Sequence, residues 1–198
     1  MQAIEAYFGE LYGHDDPYGF RTRWYEERKR ALLLAALPRR HFGAAWELGC
    51  SNGELTAALA ERCGSVLATD LSARAVELAT ARTAPSGNVT VAQASHPHDW
   101  PDGQFELIVF SEVGYFLTSP ALDACIARMR ESLTPQGVLV ACHWQHPFAQ
   151  AVTAPCEVHR RLHAAIDLPQ LLHYRDSDML LEAWSGHSAS VAAQEGLV

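Results

Sequence analysis

Glu47, Gly49, Ser51 and Gly53 stand at two-residue steps in the stretch Trp46-Glu47-Leu48-Gly49-Cys50-Ser51-Asn52-Gly53-Glu54. An apolar run precedes them and a helix-like run follows. A strand ending near Glu47 must turn sharply through small residues and enter a helix at about Glu54. Glycines there let backbone N–H groups come close to a ligand, and the helix start adds partial positive charge. About one βα unit later, Val66-Leu67-Ala68-Thr69 ends in Asp70. A carboxylate at a strand tip can take both hydroxyls of a ribose. Loop, helix start and acidic tip together describe a nucleoside site.

These groups need an alternation of strands and helices behind them. Periodicity predicts strands over residues 44–48, 66–70, 89–94, 105–111 and 138–142. Helices are predicted over 21–37, 53–63, 73–82, 122–133 and 154–166. Ser72 is a plausible N-cap, Pro38 and Gly64 are stops, and 134–137 is a turn. Residues 1–20 are rich in aromatics and turn formers, with a turn at Asp15-Asp16-Pro17. Near the C-terminus, 171–175 and 179–184 read as a hairpin across Asp176-Ser177-Asp178, and the last 14 or so residues are expected to fray. The expected fold is α/β: a Rossmann-like, doubly wound, mostly parallel sheet with a C-terminal antiparallel hairpin. In such sheets ligands bind outside the C-terminal strand ends, where Glu47, Asp70, Ser95 and Ser111 fall.

Composition narrows the function. The 198 residues suffice for one domain with a sizeable core. A formal net charge of −8 disfavours nucleic acid, which needs a basic face. No apolar run reaches the ~18–20 residues that span a bilayer. The N-terminal stretch carries Glu5 and Glu10 and lacks the basic and apolar regions of a secretory signal. The five cysteines are scattered without a CxxC pair, so reduced thiols and a cytoplasmic setting are expected.

The core motifs resemble those of class I S-adenosylmethionine-dependent methyltransferases over roughly residues 44–143. Glu47-x-Gly49-x-Ser51-x-Gly53 is similar to that family's first motif, with Ser51 where a third glycine is common. Asp70 is similar to its ribose-binding acid. Phe105 to Glu112 resembles its fourth-strand motif, and Leu133 to Leu139 its turn into the fifth strand. Both ends carry a narrower likeness. Asp16 to Arg30, His143-Trp144-Gln145-His146-Pro147 and Glu157-Val158-His159 are similar to NodS-like methyltransferases, which N-methylate an amino sugar in a deacetylated chitooligosaccharide.

The resemblance implies S-adenosyl-L-methionine as cofactor, held by Glu47, Gly49, Cys50, Gly53, Asp70 and Ser111. Leu71 is expected to lie along the adenine, with Ser95 and His96 at its edge, although the family's usual acid is missing there. Arg21 or Arg23 would meet the methionyl carboxylate, with Trp24 closing over the cofactor. Ser111 and Glu112 would stand nearest the transferring methyl. Glu112 is the first candidate to orient a cationic amine and His146 the second, as catalytic groups. Tyr115, His143 and His159 are expected on the acceptor side. Each residue also has a structural reading: Glu112 as compensation for a helix dipole, Tyr115 as packing, the arginines as a solvated face.

The histidines do not spell out a metal set. His143 and His146 are three apart, His159 and His163 four apart, and the His143 strand and His159 helix run in different directions. No metal is expected. A nicotinamide cofactor is disfavoured because the positions two and five after Gly49 are Ser51 and Glu54, not glycines. The expected organisation is a single methyltransferase domain: a helical cap over 1–40, a cofactor core over 44–143, and an acceptor-side helix and hairpin over 144–185. The expected activity is methyl transfer to a small molecule, an amino-sugar amine or alternatively a hydroxyl, by a monomer or homodimer. A nicotinamide-dependent oxidoreductase and a non-catalytic cofactor-binding module are the rivals.

Overall fold

The computed structural model describes residues 2–187 and 189–198. Its parallel core comprises β1 (Phe42–Leu48), β2 (Cys63–Asp70), β3 (Val89–Gln93), β4 (Phe105–Ser111) and β5 (Leu133–Trp144). Helix α1 (Gln2–Leu11) and helix α2 (Trp24–Ala36) precede it. Helices α3 (Glu54–Ala60), α4 (Ala73–Thr83) and α5 (Ser119–Ser132) connect its strands. Helix α6 (Pro155–Ala165), the hairpin β6 (Gln170–Arg175) and β7 (Met179–Ser185), and α7 (Val191–Gln194) follow. The strand order is β3-β2-β1-β4-β5-β7-β6. Pairs up to β5 are parallel; β7 pairs antiparallel with both β5 and β6.

Side chains alternate across a strand, so each central strand feeds two cores. Trp46, Leu48, Ile108, Phe110, Leu139 and Ala141 face α5 and α6, where Leu122, Ile126, Met129, Val158 and Leu162 complete one cluster. Ala45, Leu107, Val109, Val138 and Val140 face the other way, onto Leu33 and Leu37 at the end of α2 and Leu59 of α3. Both faces are therefore covered, and Leu107 to Phe110 are fully buried. Each such large side chain contributes roughly 1.5–3 kcal/mol by leaving water.

Three local differences from the sequence expectation have plain causes. The helix expected over 53–63 ends at Ala60, because Cys63 already pairs with Phe42 to open β2. The turn expected over 134–137 lies inside the long β5, as a shift of register between Phe105↔Leu133 and Leu107↔Val138. The first segment forms α1, whose Phe8 and the following Tyr12 pack on Ala75 and Leu78 of α4. Among the described residues no helix is long and apolar enough to cross a membrane.

Candidate active site

The strand order reverses direction between β1 and β4, and in open α/β sheets ligands bind outside the C-terminal strand tips at such a switch. The loop after β1 is built by backbone geometry that side chains resist. Gly49 has φ +76°, and a Cβ on it would run into Val113. Gly53 has φ +81°, and a Cβ there would lie 2.8 Å from the Ala79 Cα. Ser51 itself holds φ 51°. The N–H groups of Gly49 and Cys50 both donate to the Thr69 carbonyl, at 2.7 and 2.9 Å, which ties the loop to β2.

Asp70 closes this turn. Its carboxylate accepts from the Ser51 N–H and the Ser72 N–H, both at 2.9 Å. Burial raises its pKa, and those two N–H groups oppose the rise. Ser72 caps α4 as expected, accepting from the Ala75 N–H. Glu47 is also buried, and its Oε2 accepts from the Thr56 hydroxyl at 2.6 Å. Burial pushes its pKa up to about 8, with the Thr56 hydrogen bond opposing and Asp70 adding repulsion. A carboxyl held this high gains most from an incoming cation. The Cys50 thiol is pushed well above its usual range by burial and stays neutral. Leu71 follows Asp70, and its carbonyl accepts from the Gln93 side chain at 2.9 Å.

The segment after α1 crosses this loop. The Tyr12 hydroxyl donates to Ser51 Oγ at 2.7 Å, and Asn52 Nδ2 donates to Asp16 Oδ1 at 3.1 Å. Arg74 reaches Asp15 at 2.8 Å. Sequence reading missed Tyr12, Asp16 and Asn52 as site residues, because nothing local pairs positions 36 to 39 residues apart. Arg21 joins this strap by pairing with Glu54 Oε1 at 2.9 Å, an acceptor that Arg82 shares.

Glu112 follows β4 with φ 60°. Its Oε1 accepts from the Trp144 N–H at 3.1 Å and meets Lys29 Nζ at 3.4 Å; its Oε2 accepts from the Tyr115 hydroxyl. Lys29 also pairs with Glu26 at 2.9 Å, under the rings of Tyr25 and Phe20. Burial works against the Lys29 charge, but Glu112 and Glu26 outweigh it and hold the ammonium above its usual range. Sequence reading missed Lys29 because a charged residue on a helix ordinarily faces solvent. Ser111, at the tip of β4, is buried and pairs with Cys142.

Beyond β5 lies an open groove of about 370 Å³ lined by Trp24, Tyr25, Arg28, Asp176, Ser177 and Asp178. Trp24 is 70% exposed. The turn between β6 and β7 reaches this end of the sheet because β7 runs antiparallel, setting Met179 opposite Trp144. His146 Nε2 lies 2.9 Å from Asp178 Oδ1, and its ring packs on Trp144. Tyr25, edge-on to Trp144, has a buried hydroxyl with no hydrogen-bond partner among the described residues.

Several expected placements are corrected. Trp24 lines the outer groove with Asp176 and Asp178 instead of closing over the glycine loop. Arg21 meets Glu54 through its Nε at 2.9 Å, at the start of α3. His96 is wedged edge-on between Trp46 and Trp100, with Nε2 3.0 Å from Thr69 Oγ1 and Nδ1 2.8 Å from the Asp99 carbonyl, so both ring nitrogens are used. Ser95 donates its N–H to Asp99 at 2.8 Å in the same turn. His143 and His159, expected to face an acceptor, are both buried and 3.0 Å apart, despite the different directions of their elements. His143 Nε2 accepts from the Gly114 N–H, so its Nδ1 carries the proton and donates to His159 Nε2. His159 Nδ1 then donates to Glu182 at 2.6 Å.

Comparisons with known proteins identify the family. Residues 45–137 match the methyltransferase domain family. A crystal structure of a protein from Pseudomonas syringae, provisionally called a methyltransferase, is 45% identical; it covers 82% of this chain and 99% of its own, with TM-score 0.75. The chain belongs to the class I S-adenosylmethionine-dependent methyltransferases, and S-adenosylmethionine is the cofactor. Within that class it is similar to nodulation protein S of Bradyrhizobium diazoefficiens, 30% identical over 129 residues, or 64% of this chain and 61% of that protein. The chain thus spans about three-fifths of the length of the curated relatives it matches. The N-methyltransferase NodS from Bradyrhizobium japonicum, in complex with S-adenosyl-L-homocysteine, shares the fold at TM-score 0.82, with 24% identity over 91% of this chain and 97% of that one.

Proposed function

We propose that this chain methylates the amine of a small hydroxylated acceptor, an amino sugar or related glycoside. One observation carries the reading: the exposed Trp24 beside Asp176 and Asp178, in a groove at the same end of the sheet as Glu112. An aromatic face suits the apolar face of a sugar ring, and the Asp178 carboxylate suits an ammonium or hydroxyls, while Asp176 is already held by Arg28, Tyr174 and the N–H groups of Asp178 and Met179. The name of the NodS neighbour specifies N-methylation, which supports the choice of nitrogen over oxygen. In this reading residues 44–143 bind the cofactor, and Trp24 of the helical cap over 1–40 joins residues 144–185 in meeting the acceptor.

When bound, S-adenosylmethionine supplies a methyl group already activated on a sulfonium, so the protein's task is alignment. Asp70 is the residue for the ribose hydroxyls, Glu47 for the methionyl ammonium, and the glycine loop lets backbone approach. Glu112 already has Lys29, Tyr115 and the Trp144 N–H on its carboxylate. It therefore acts as a fixed negative charge that orients an amine, and Tyr115 holds it in place. His146, exposed and paired with Asp178, is the group to take the proton that the ammonium must lose before its nitrogen can attack.

The test is incubation with methyl-labelled cofactor and matched panels of amino sugars, neutral sugars and phenols, read by mass. A gain of one methyl on an amino sugar only is the expected result. Methylation of phenols or neutral sugars with the amines untouched would overturn the choice of nitrogen. Binding of S-adenosylhomocysteine without transfer to any acceptor would favour the binding-module rival.

A further inference from the structure

Glu182 lies in the middle of β7 and is fully buried, yet its carboxylate is the meeting point of four side chains from two other elements, α6 and β6. Oε2 is held by His159 Nδ1 at 2.6 Å. Oε1 is approached by His163 Nε2 and His173 Nδ1, each at 2.7 Å, and by Gln170 Nε2 at 2.8 Å. One carboxylate oxygen has two lone pairs, so three N–H donors crowd it. At its rim His163 Nε2 and Gln170 Nε2 are 3.3 Å apart.

We propose that His163, His173 and Glu182 form a binding site for one divalent transition-metal ion of the zinc type. Their ligand atoms all lie within 4.8 Å of one another. Two imidazoles and a carboxylate suit zinc, which takes such ligands at about 2.0–2.2 Å. Around a tetrahedral ion such atoms stand about 3.3 Å apart, so each imidazole nitrogen, now 2.7 Å from Oε1, would draw back from that oxygen by about half an ångström. His163 and His173 can make that movement, since their side chains are 44% and 53% exposed. Each would turn a nitrogen lone pair to the ion, with its ring proton carried on the other nitrogen. Gln170, with its amide turned over, would offer a carbonyl oxygen as fourth ligand; otherwise water fills that position.

The outer shell is already assembled. His159 fixes the second oxygen of Glu182 and is itself fixed by His143, the arrangement by which ligating carboxylates are oriented in metal centres. Trp184 sets the His163 ring edge-on at 5.4 Å. His163 comes from the last turn of α6, while His173 and Glu182 are cross-strand partners in the hairpin. A bound ion would therefore clamp α6 to the edge of the sheet. This site is independent of the methyl-transfer reading.

The experiment is calorimetric titration of the tag-free full chain with zinc, followed by visible spectroscopy with cobalt. One zinc per chain is expected, with micromolar or tighter affinity, together with a raised melting temperature and the intense visible bands of tetrahedral cobalt. The single variants His163→Gln and His173→Gln should each weaken zinc at least tenfold, and the double variant at least a hundredfold. Circular dichroism checks that these half-exposed substitutions leave the fold intact; should the double variant unfold, the two single variants carry the test. Failure of the wild-type chain to bind zinc, or equal binding in the variants, overturns the proposal and leaves the cluster a purely hydrogen-bonded knot.

Discussion

Replacing Glu47 with glutamine separates two effects of one buried carboxyl. In the folded chain this group titrates at about 8, against an ordinary value of 4.5. The folded state thus holds the proton more tightly than the unfolded state. The contribution to stability is complete below about 4.5 and is lost as pH rises to about 8. Each pH unit in that window removes about 1.4 kcal/mol, so the whole window is worth about 5 kcal/mol. Glutamine keeps the acceptor for Thr56 but has no proton to lose. The Glu47→Gln variant should gain on the wild type by about 1.4 kcal/mol per pH unit across the window, whatever its offset at low pH. Urea unfolding of both chains at several pH values between about 5 and 8 measures this, and the difference cancels the titrating groups that do not interact with Glu47. Cofactor affinity should run the opposite way. An ammonium needs the ionised carboxylate, so S-adenosylhomocysteine should bind the wild type up to tenfold more tightly per pH unit until about 8, then level off. The variant should show no such rise. Parallel stability curves for the two chains would refute the burial argument. A rise in affinity that survives in Glu47→Gln would refute the placement of the ammonium.

Asp70→Ala removes the acceptor shared by two loop N–H groups and intended for the ribose, and should weaken S-adenosylhomocysteine binding by about 1–3 kcal/mol in calorimetry. Unchanged affinity would remove Asp70 from the site. Glu112→Gln and His146→Ala should lower turnover more than cofactor affinity, as separate activity and binding measurements would read; full activity in both would discard the acceptor-side assignment. Lys29→Met leaves Glu26 and Glu112 without their shared cation and should destabilise the chain by about 3–5 kcal/mol in urea. Adding Glu26→Gln should restore part of that, and a loss below about 1 kcal/mol for Lys29→Met alone would mean that water screens the cluster.

The central sheet was legible because its strands are short, apolar and separated by turn formers, and β4 reads as buried on both faces from its composition alone. The loop from Glu47 to Gly53 and Asp70 were legible for a different reason: the backbone geometry there admits few residue types. Helix α1 was not, since Gly9 and a run of aromatics resemble a loop until Phe8 and Tyr12 find α4 to pack against. Polarity alone points His143 and His159 toward solvent, whereas a chain of complementary donors and acceptors lets them be buried. The Glu182 cluster draws on three elements, yet part of it was within reach. Drawing the hairpin about the Asp176–Asp178 turn sets Tyr174 opposite Leu181 and therefore His173 opposite Glu182.

The strap from α1 to Arg21 gives the two ligands separate doors. Tyr12, Asp15, Asp16 and Arg21 fasten it across the nucleoside end of the crevice, while the groove beside Trp24 stays open to solvent. In the proposed reaction, the spent nucleoside leaves only when those fastenings part, but an acceptor can come and go past the indole without disturbing them. Turnover would then be paced by unlatching at one door, and the choice of acceptor made at the other.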